Sequence, residues 1–455
     1  MESFLIKAAQ LIAALAFLVI IHEFGHYIIA RCFGIKVEKF YLFFNPWFSL
    51  AKWKPKPAKT PKYDKDGNPK ASWRDTEYGI GWLPLGGYVK IAGMVDESMD
   101  KEQLKQPEQP WEFRSKPAYQ RLLVMLGGVI FNFVLAIIIY AGIAWYWGAK
   151  YIPLESAYEG MDYVEAAHKI GFRDGDIPLM ADGEPLKAND NYSLKMAEAK
   201  TVTVLRNHKD TVEISIPDNF LLQLNDEKGF MSYRIPVYIL QVQPGSAAAK
   251  AGLKEGDRIV AVDTIATPSY SELVPALQAY AEKKVPVTYE RDGHRVSVDI
   301  TPSESGKLGF TLKNITDVYP TVTENYSLLR SIPKGWELGT GTLSNYVGSM
   351  KYVFTKEGAQ SIGGFGAIGN LFPDRWNWLS FWEITAFLSV VLAFMNIIPI
   401  PGLDGGHVLF LLWEVVSRRK PSGKVLEYAQ YAGMAFLLLL LVYANGNDLF
   451  RAFIK

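Results

Sequence analysis

Leu11-Ile-Ala-Ala-Leu-Ala-Phe-Leu-Val-Ile-Ile-His22-Glu23-Phe24-Gly25-His26 places three ionisable side chains at the end of an apolar run. The run spans residues 4–33, and three more like it follow at 122–147, 378–400 and 425–444. A membrane span needs about 20 predominantly apolar residues, and all four come close. The second ends in Trp145-Tyr146-Trp147, and aromatic residues suit a membrane–water interface. The pattern predicts a polytopic α-helical membrane protein with four transmembrane helices. Ionisable groups inside a span are costly, so three together mark a site. On a helix, His22 and His26 stand at i and i+4 on one face. Two imidazoles so placed meet one tetrahedral Zn²⁺, and the intervening Glu23 reaches a water beside it.

The 455 residues carry 48 Lys+Arg against 47 Asp+Glu, a net charge of +1. That balance argues against a nucleic-acid partner, which requires a basic surplus. A single cysteine, Cys32, excludes an internal disulfide, a cysteine-cluster zinc site and a cysteine-ligated iron–sulfur centre. The first run lacks a small-residue cleavage site and reads as a retained span. Lys52, Lys54, Lys56, Lys59, Lys62, Lys65 and Lys70 lie between the first two runs. Arg418, Arg419, Lys420 and Lys424 lie between the last two. By the positive-inside rule both connections face the cytoplasm, which puts residues 148–377 and both termini on the outer side.

The outer segment repeats itself. Gly171-Phe-Arg-Asp-Gly175-Asp176 recurs as Gly252-Leu-Lys-Glu-Gly256-Asp257. Each copy leads to paired strand-like runs: Thr203-Val-Leu-Arg206 with Val212–Ile216, then Thr288-Tyr-Glu-Arg291 with Val296–Ile300. Glycine accepts a positive φ and aspartate bonds backbone donors, so the motif reads as a turn. The copies resemble bacterial-type PDZ domains, the second more fully, through Pro244-Gly-Ser-Ala-Ala-Ala and Ala251-Gly252-Leu-Lys-Glu-Gly256-Asp257-Arg-Ile-Val-Ala-Val-Asp263.

Catalytic zinc takes three protein ligands and keeps one position open. The third run ends in Asn396-Ile-Ile-Pro399-Ile-Pro401-Gly402-Leu403-Asp404-Gly405-Gly406-His407. Two prolines break the helix and three glycines allow close backbone approach. Irregular backbone at membrane depth is tolerated where it is buried or lines a cavity. Asp404 is the natural third ligand, and His407 is its rival. His168, His208 and His294 read as ordinary histidines of the outer domains.

Taken together, these residues resemble the site-2 protease family of intramembrane zinc metalloproteases, of the regulator-of-sigma-E type. The likeness rests on the HEFGH helix, Gly79-Ile-Gly-Trp-Leu-Pro-Leu-Gly86-Gly87-Tyr88-Val89-Lys90, Gly127-Gly128 with Asn132, the two PDZ copies and the 396–405 run. The resemblance implies that His22, His26 and Asp404 bind one zinc per chain and that Glu23 is the general base. It implies that Asn396, Pro399 and Pro401 shape the substrate site. The Lys-rich insert at 52–70 and Gly363-Gly-Phe-Gly-Ala-Ile, where a Gly-Pro-Ile-like loop is expected, depart from the pattern.

The expected layout follows. Residues 1–34 form the first span and 35–116 a cytoplasmic loop holding a membrane-associated β-hairpin. Residues 117–148 form the second span, 149–232 and 233–304 the two PDZ domains, and 305–377 a linker with membrane-proximal helices. Residues 378–413 form the third span with its Leu-Asp-Gly motif, and 424–445 the fourth. The hairpin, at 76–92 around Pro84-Leu85-Gly86-Gly87, offers an edge for an unwound substrate, with Gly86, Gly87 and Tyr88 beside it. The expected activity is hydrolysis of peptide bonds within transmembrane segments of single-span proteins, such as an anti-sigma factor or a remnant signal peptide. Partners are the lipid bilayer and a peptide or substrate outer domain at the PDZ copies, with no nucleic acid. The location is the bacterial inner membrane, with the PDZ copies periplasmic. A non-enzymatic adaptor or a metal permease would leave Glu23 without a role.

Overall fold

The computed structural model describes residues 2–57, 71–84, 86–94, 107–186, 192–218, 220, 224, 230–350, 363–419 and 422–454. Residues 58–70 of the Lys-rich insert and Leu85 of the anticipated hairpin turn therefore lie outside the described residues. The chain divides into two compact units, residues 1–148 with 325–454, and residues 149–324.

The longer helices of the first unit, among the described residues, are α1 (Glu2–Cys32), α2 (Ala118–Tyr146), α3 (Leu328–Ser349), α4 (Trp378–Ile397), α5 (Asp404–Ser417) and α6 (Gly423–Ile454). Four of them, α1, α2, α4 and α6, are long and apolar enough to cross a membrane. Within the third span, drawn over 378–413 with a helix break at its prolines, α4 stops at Ile397 and a separate helix begins at Asp404. Proline at 399 and 401 cannot donate to the helical ladder, so the chain leaves the helix there. Along α1 and α2, Leu11, Ala14 and Leu18 pack with Leu135, Ile139 and Ile143, and with Phe381 and Leu388 of α4.

Packing of α1 on α2 is close because both present bare backbone at the crossing. A β-carbon on Gly25 would stand 2.3 Å from the Gly127 carbonyl oxygen. One on Gly128 would stand 2.4 Å from the His22 ring and 2.5 Å from His26 Nε2. In lipid, where apolar surface alone does not drive helices together, such small-residue contacts are what allow intimate packing. An ion pair between Arg121 of α2 and Glu414 of α5, at 2.5 Å, fastens α5 to the same scaffold.

The sheet of this unit is not the hairpin that the sequence suggested. Four strands, β1 (Val37–Leu42), β2 (Phe44–Trp53), β3 (Glu77–Leu83) and β4 (Tyr88–Ile91), run in the order β2-β3-β1-β4. β1 lies between the two expected hairpin arms, parallel to β3 and antiparallel to β4. A two-stranded ribbon is marginal by itself. Inserting β1 brings Val37 and Tyr41 into the interior, and Val37 and Ile91 join Ala30 of α1, Val124 of α2 and Leu411 of α5 in one apolar cluster. The arrangement leaves β4 at an edge.

The second unit holds the repeat, and the repeat explains itself chemically. Asp176 and Asp257 are each 1% exposed. Asp176 accepts two bonds from Arg206, at 2.9 and 2.7 Å, and one from the Arg173 amide. Asp257 accepts two from Arg291, both 2.7 Å, and one from the Lys254 amide. The same arginines donate to the carbonyls of Gly171 and Gly252. The repeated Gly-Asp turn is thus half of a buried charged clasp, whose other half is the arginine ending the later strand.

Two expected boundaries move. The second copy does not end at 304, because strand Phe310–Leu312 pairs with Val237–Val242 at the edge of its six-stranded sheet, and Leu308 is buried in its core. Nor is the chain beyond it a linker only: Tyr319 is buried in the first copy's core, and Val322–Glu324 pairs with Ala149–Tyr151. Apolar residues at 308–319 had a place to go that local pattern does not reveal. The copies are tied to each other by Arg234, which bonds Asp162 at 3.1 Å and also Glu272, and by the pair Arg258–Glu159. Gly363 and Gly364 lead into a short helix, Phe365–Gly369; the amides of its N-cap Gly364 and of Ala367 donate to Asp448 of α6.

Two outcomes follow. Gly25→Ala forces a β-carbon into the Gly127 carbonyl and is expected to lower stability by about 1–3 kcal/mol. Gly142→Ala, with nothing within 4 Å of the added carbon, is expected to leave it unchanged; thermal unfolding of the detergent-solubilised chain measures both. Arg291→Met strands the buried Asp257 carboxylate and is expected to cost about 3–5 kcal/mol. Hydrogen exchange of the full chain should show protection lost across 237–312 and retained in α1 and α2.

Candidate metal and catalytic site

The site begins with the register of α1. His22 and His26 are one helical turn apart, and their rings stand 4.8 Å apart at 80°. Asp404 comes from the first turn of α5, where unpaired backbone amides favour a carboxylate. The two glycines after it let that turn press against the preceding loop: a β-carbon on Gly405 would lie 2.2 Å from the Ile398 carbonyl oxygen.

Three donor atoms converge. His22 Nε2 and His26 Nε2 are 3.2 Å apart, and Asp404 Oδ2 is 3.1 Å from the first and 3.3 Å from the second. The His26 ring donates from Nδ1 to the Val124 carbonyl, at 2.8 Å, so its Nε2 carries a lone pair. Asp404 Oδ2 is buried and accepts no hydrogen bond. Lone pairs aimed at one another at such distances repel unless a cation stands between them. Ligand atoms about 2.0–2.1 Å from a tetrahedral zinc lie about 3.3 Å from each other, so the spacing fits that ion. Among the described residues, this is the one cluster of histidine, cysteine and carboxylate groups with metal-binding spacing.

Around the triad lies a cavity of about 680 Å³. Glu23 lines it, as does Val89 of β4. Gly87 through Ile91 also line it, so the edge strand forms one wall. Of the residues expected at the substrate site, Asn396, Gly87 and Tyr88 line this cavity. Gly86, Pro399 and Pro401 do not; Pro401 lines a second cavity of about 160 Å³. His407 lies one turn along α5 from Asp404, on the wall of both cavities and outside the triad.

Asn45, Gln430 and Val89 also line the cavity, and sequence reasoning passed them over. Asn45 accepts from the Tyr88 hydroxyl at 3.0 Å. Gln430 is a buried polar residue in α6, a signal that the cost of polar groups in a span makes visible. For Asn45 and Val89 no local signal exists, since pairing across the sheet brings them in. Asn132, quoted only as part of a family pattern, is fully buried, with its side-chain amide 3.3 Å from His22 Nδ1. His168 bonds Asp174 within the first copy, at 3.0 Å.

The chain is similar to known proteins over nearly its whole length. The sequence pattern of peptidase family M50 matches residues 10–57 and 69–440. The chain is 30% identical to a regulator of sigma E protease of Haemophilus influenzae, over 99% of this chain and 100% of that one. It is 29% identical to the regulator of sigma-E protease RseP of Escherichia coli, over 99% and 100%. A putative zinc metalloprotease of Neisseria meningitidis is 28% identical over 97% and 98%. A PDZ domain of an SdrC-like protein of Listeria monocytogenes is similar to 18% of this chain and over 90% of its own length, 25% identical, with a TM-score of 0.16. Matched over nearly its whole length, and with His22, Glu23 and His26 on a helix apolar enough to cross a membrane, the chain belongs to peptidase family M50.

Proposed function

We propose that this metalloprotease hydrolyses peptide bonds within transmembrane segments of single-span membrane proteins, in a bacterial inner membrane. The observation that carries the reading is the convergence of His22, His26 and Asp404, with Glu23 beside them, in a cavity among apolar helices. In this proposal the triad holds one zinc per chain. A zinc ion there supplies Lewis acidity, which makes water a nucleophile near neutral pH and polarises the scissile carbonyl.

The remaining steps belong to the chain's own groups. Glu23 takes the proton of the attacking water and returns it to the leaving amine. Val89 of β4 lines the same cavity as that carboxylate. A helical substrate has its carbonyls already bonded, so it must be extended before attack. The open edge of β4 favours this, because an extended chain can pair there as a further strand. Asn396, Gly87 and Tyr88 contact the substrate from the cavity wall, while Pro399, Pro401 and Gly86 shape the loops that carry them. The family resemblance suggests an anti-sigma factor as one substrate; a remnant signal peptide is the other candidate. The repeat unit is read as two PDZ domains on the periplasmic side, taking a peptide or a substrate's outer domain. The edge position of 310–312 suits the same strand addition.

Glu23→Gln removes the base and keeps the shape. Cleavage of a model single-span substrate is expected to fall by at least about 10²-fold, with zinc content unchanged. Substantial turnover by that variant would remove Glu23 from its role. Asp404→Ala is expected to reduce bound zinc well below one per chain, whereas His407→Ala keeps it; elemental analysis of the purified proteins separates them. The opposite ranking would exchange the two ligands.

A further inference from the structure

The buried amide of Asn132 points to a positioning role at the metal. Its Nδ2 stands 3.3 Å from His22 Nδ1, while its Oδ1 is buried with no hydrogen-bond partner. Amide oxygen and nitrogen are assigned from hydrogen bonding, and they exchange places when the group turns by half a revolution. With nitrogen facing His22, the imidazole accepts at Nδ1 and its proton sits on Nε2. That proton then occupies the direction of Asp404 Oδ2, 3.1 Å away, where a ligand lone pair is needed. An orphaned buried oxygen adds a cost of about 1–3 kcal/mol. With oxygen facing His22, Nδ1–H donates to Oδ1 and Nε2 presents its lone pair to the centre.

We infer that Asn132 is the acceptor that fixes the tautomer of His22, so that both imidazoles meet the metal through Nε2. The partner arrangement at His26, whose Nδ1 donates to the Val124 carbonyl, has the same logic. Both acceptors come from α2, eight residues apart, on the helix whose glycines admit α1. Asn132 is itself held, since its main-chain carbonyl accepts from Ser389 Oγ of α4 at 2.7 Å. The proposal rests on the zinc reading above.

Its test separates acceptor from donor. Asn132→Asp keeps an oxygen toward Nδ1–H and removes the amide donor; Asn132→Leu removes both at similar volume. Zinc affinity of the full chain in detergent is measured by competition with a chromophoric chelator. Asn132→Leu is expected to weaken binding about 10–100-fold, and Asn132→Asp to stay within about threefold of the parent. Asn132→Leu binding zinc as tightly as the parent, or Asn132→Asp binding as weakly as Asn132→Leu, overturns the role. Should Asn132→Leu not fold, the parent decides: nitrogen-15 histidine spectra of the metal-free chain are expected to show His22 protonated at Nδ1, and protonation at Nε2 overturns it. A parent chain that binds no zinc defeats both this inference and the reading beneath it, whereas a zinc-binding parent matched by Asn132→Leu defeats this inference alone.

Discussion

Lone pairs brought together in an apolar interior are the constraint that the first unit must accommodate. Two imidazole nitrogens and a carboxylate oxygen lie 3.1–3.3 Å apart among helices suited to lipid. Ionisable groups are expensive at that depth. Bringing acceptors together there costs more still, unless a cation offsets it. The arrangement therefore needs a rigid frame, and much of the unit supplies one. Bare backbone at Gly25, Gly127 and Gly128 lets α2 lie against the two imidazoles. The Arg121–Glu414 pair and the cluster of Val124, Leu411 and Ile91 hold α5 and the sheet to the same helix.

The candidate site is assembled from four separate pieces of chain. α1 brings His22, Glu23 and His26, α5 brings Asp404, α2 brings the Val124 carbonyl and the Asn132 amide behind the rings, and β4 brings a strand edge along the cavity. The mixed sheet matters because its order leaves β4 at an edge along the cavity. A hairpin of the expected kind would have paired β4 with β3. With β1 between them, the sheet gains a buried row and still keeps an edge along the cavity that Glu23 lines.

In the repeat unit, one charged clasp occurs twice. Each buried aspartate meets a bidentate arginine and a backbone amide, so its remaining lone pairs are satisfied. That is the condition under which a buried charge is tolerable. The clasp spans about 30 residues of sequence, from Gly-Asp turn to strand end, and closes the sheet of each copy around its core.

Sequence alone placed the candidate ligands and the apolar spans. Helical spacing of 3.6 residues puts His22 and His26 on one face whatever surrounds them, and the cost of charge in lipid marks them as a site. Pro399 and Pro401 forecast the break before Asp404 for the same local reason. The repeat was legible because its turn glycines and clasped aspartates are required twice. Tertiary structure decided what depends on distant partners: β1 between the supposed hairpin arms, Phe310–Leu312 completing the second copy, Tyr319 returning to the first, and Asn132 beside His22. Strand pairing and helix crossing are settled by which surfaces can be buried together, and no window of neighbouring residues carries that information.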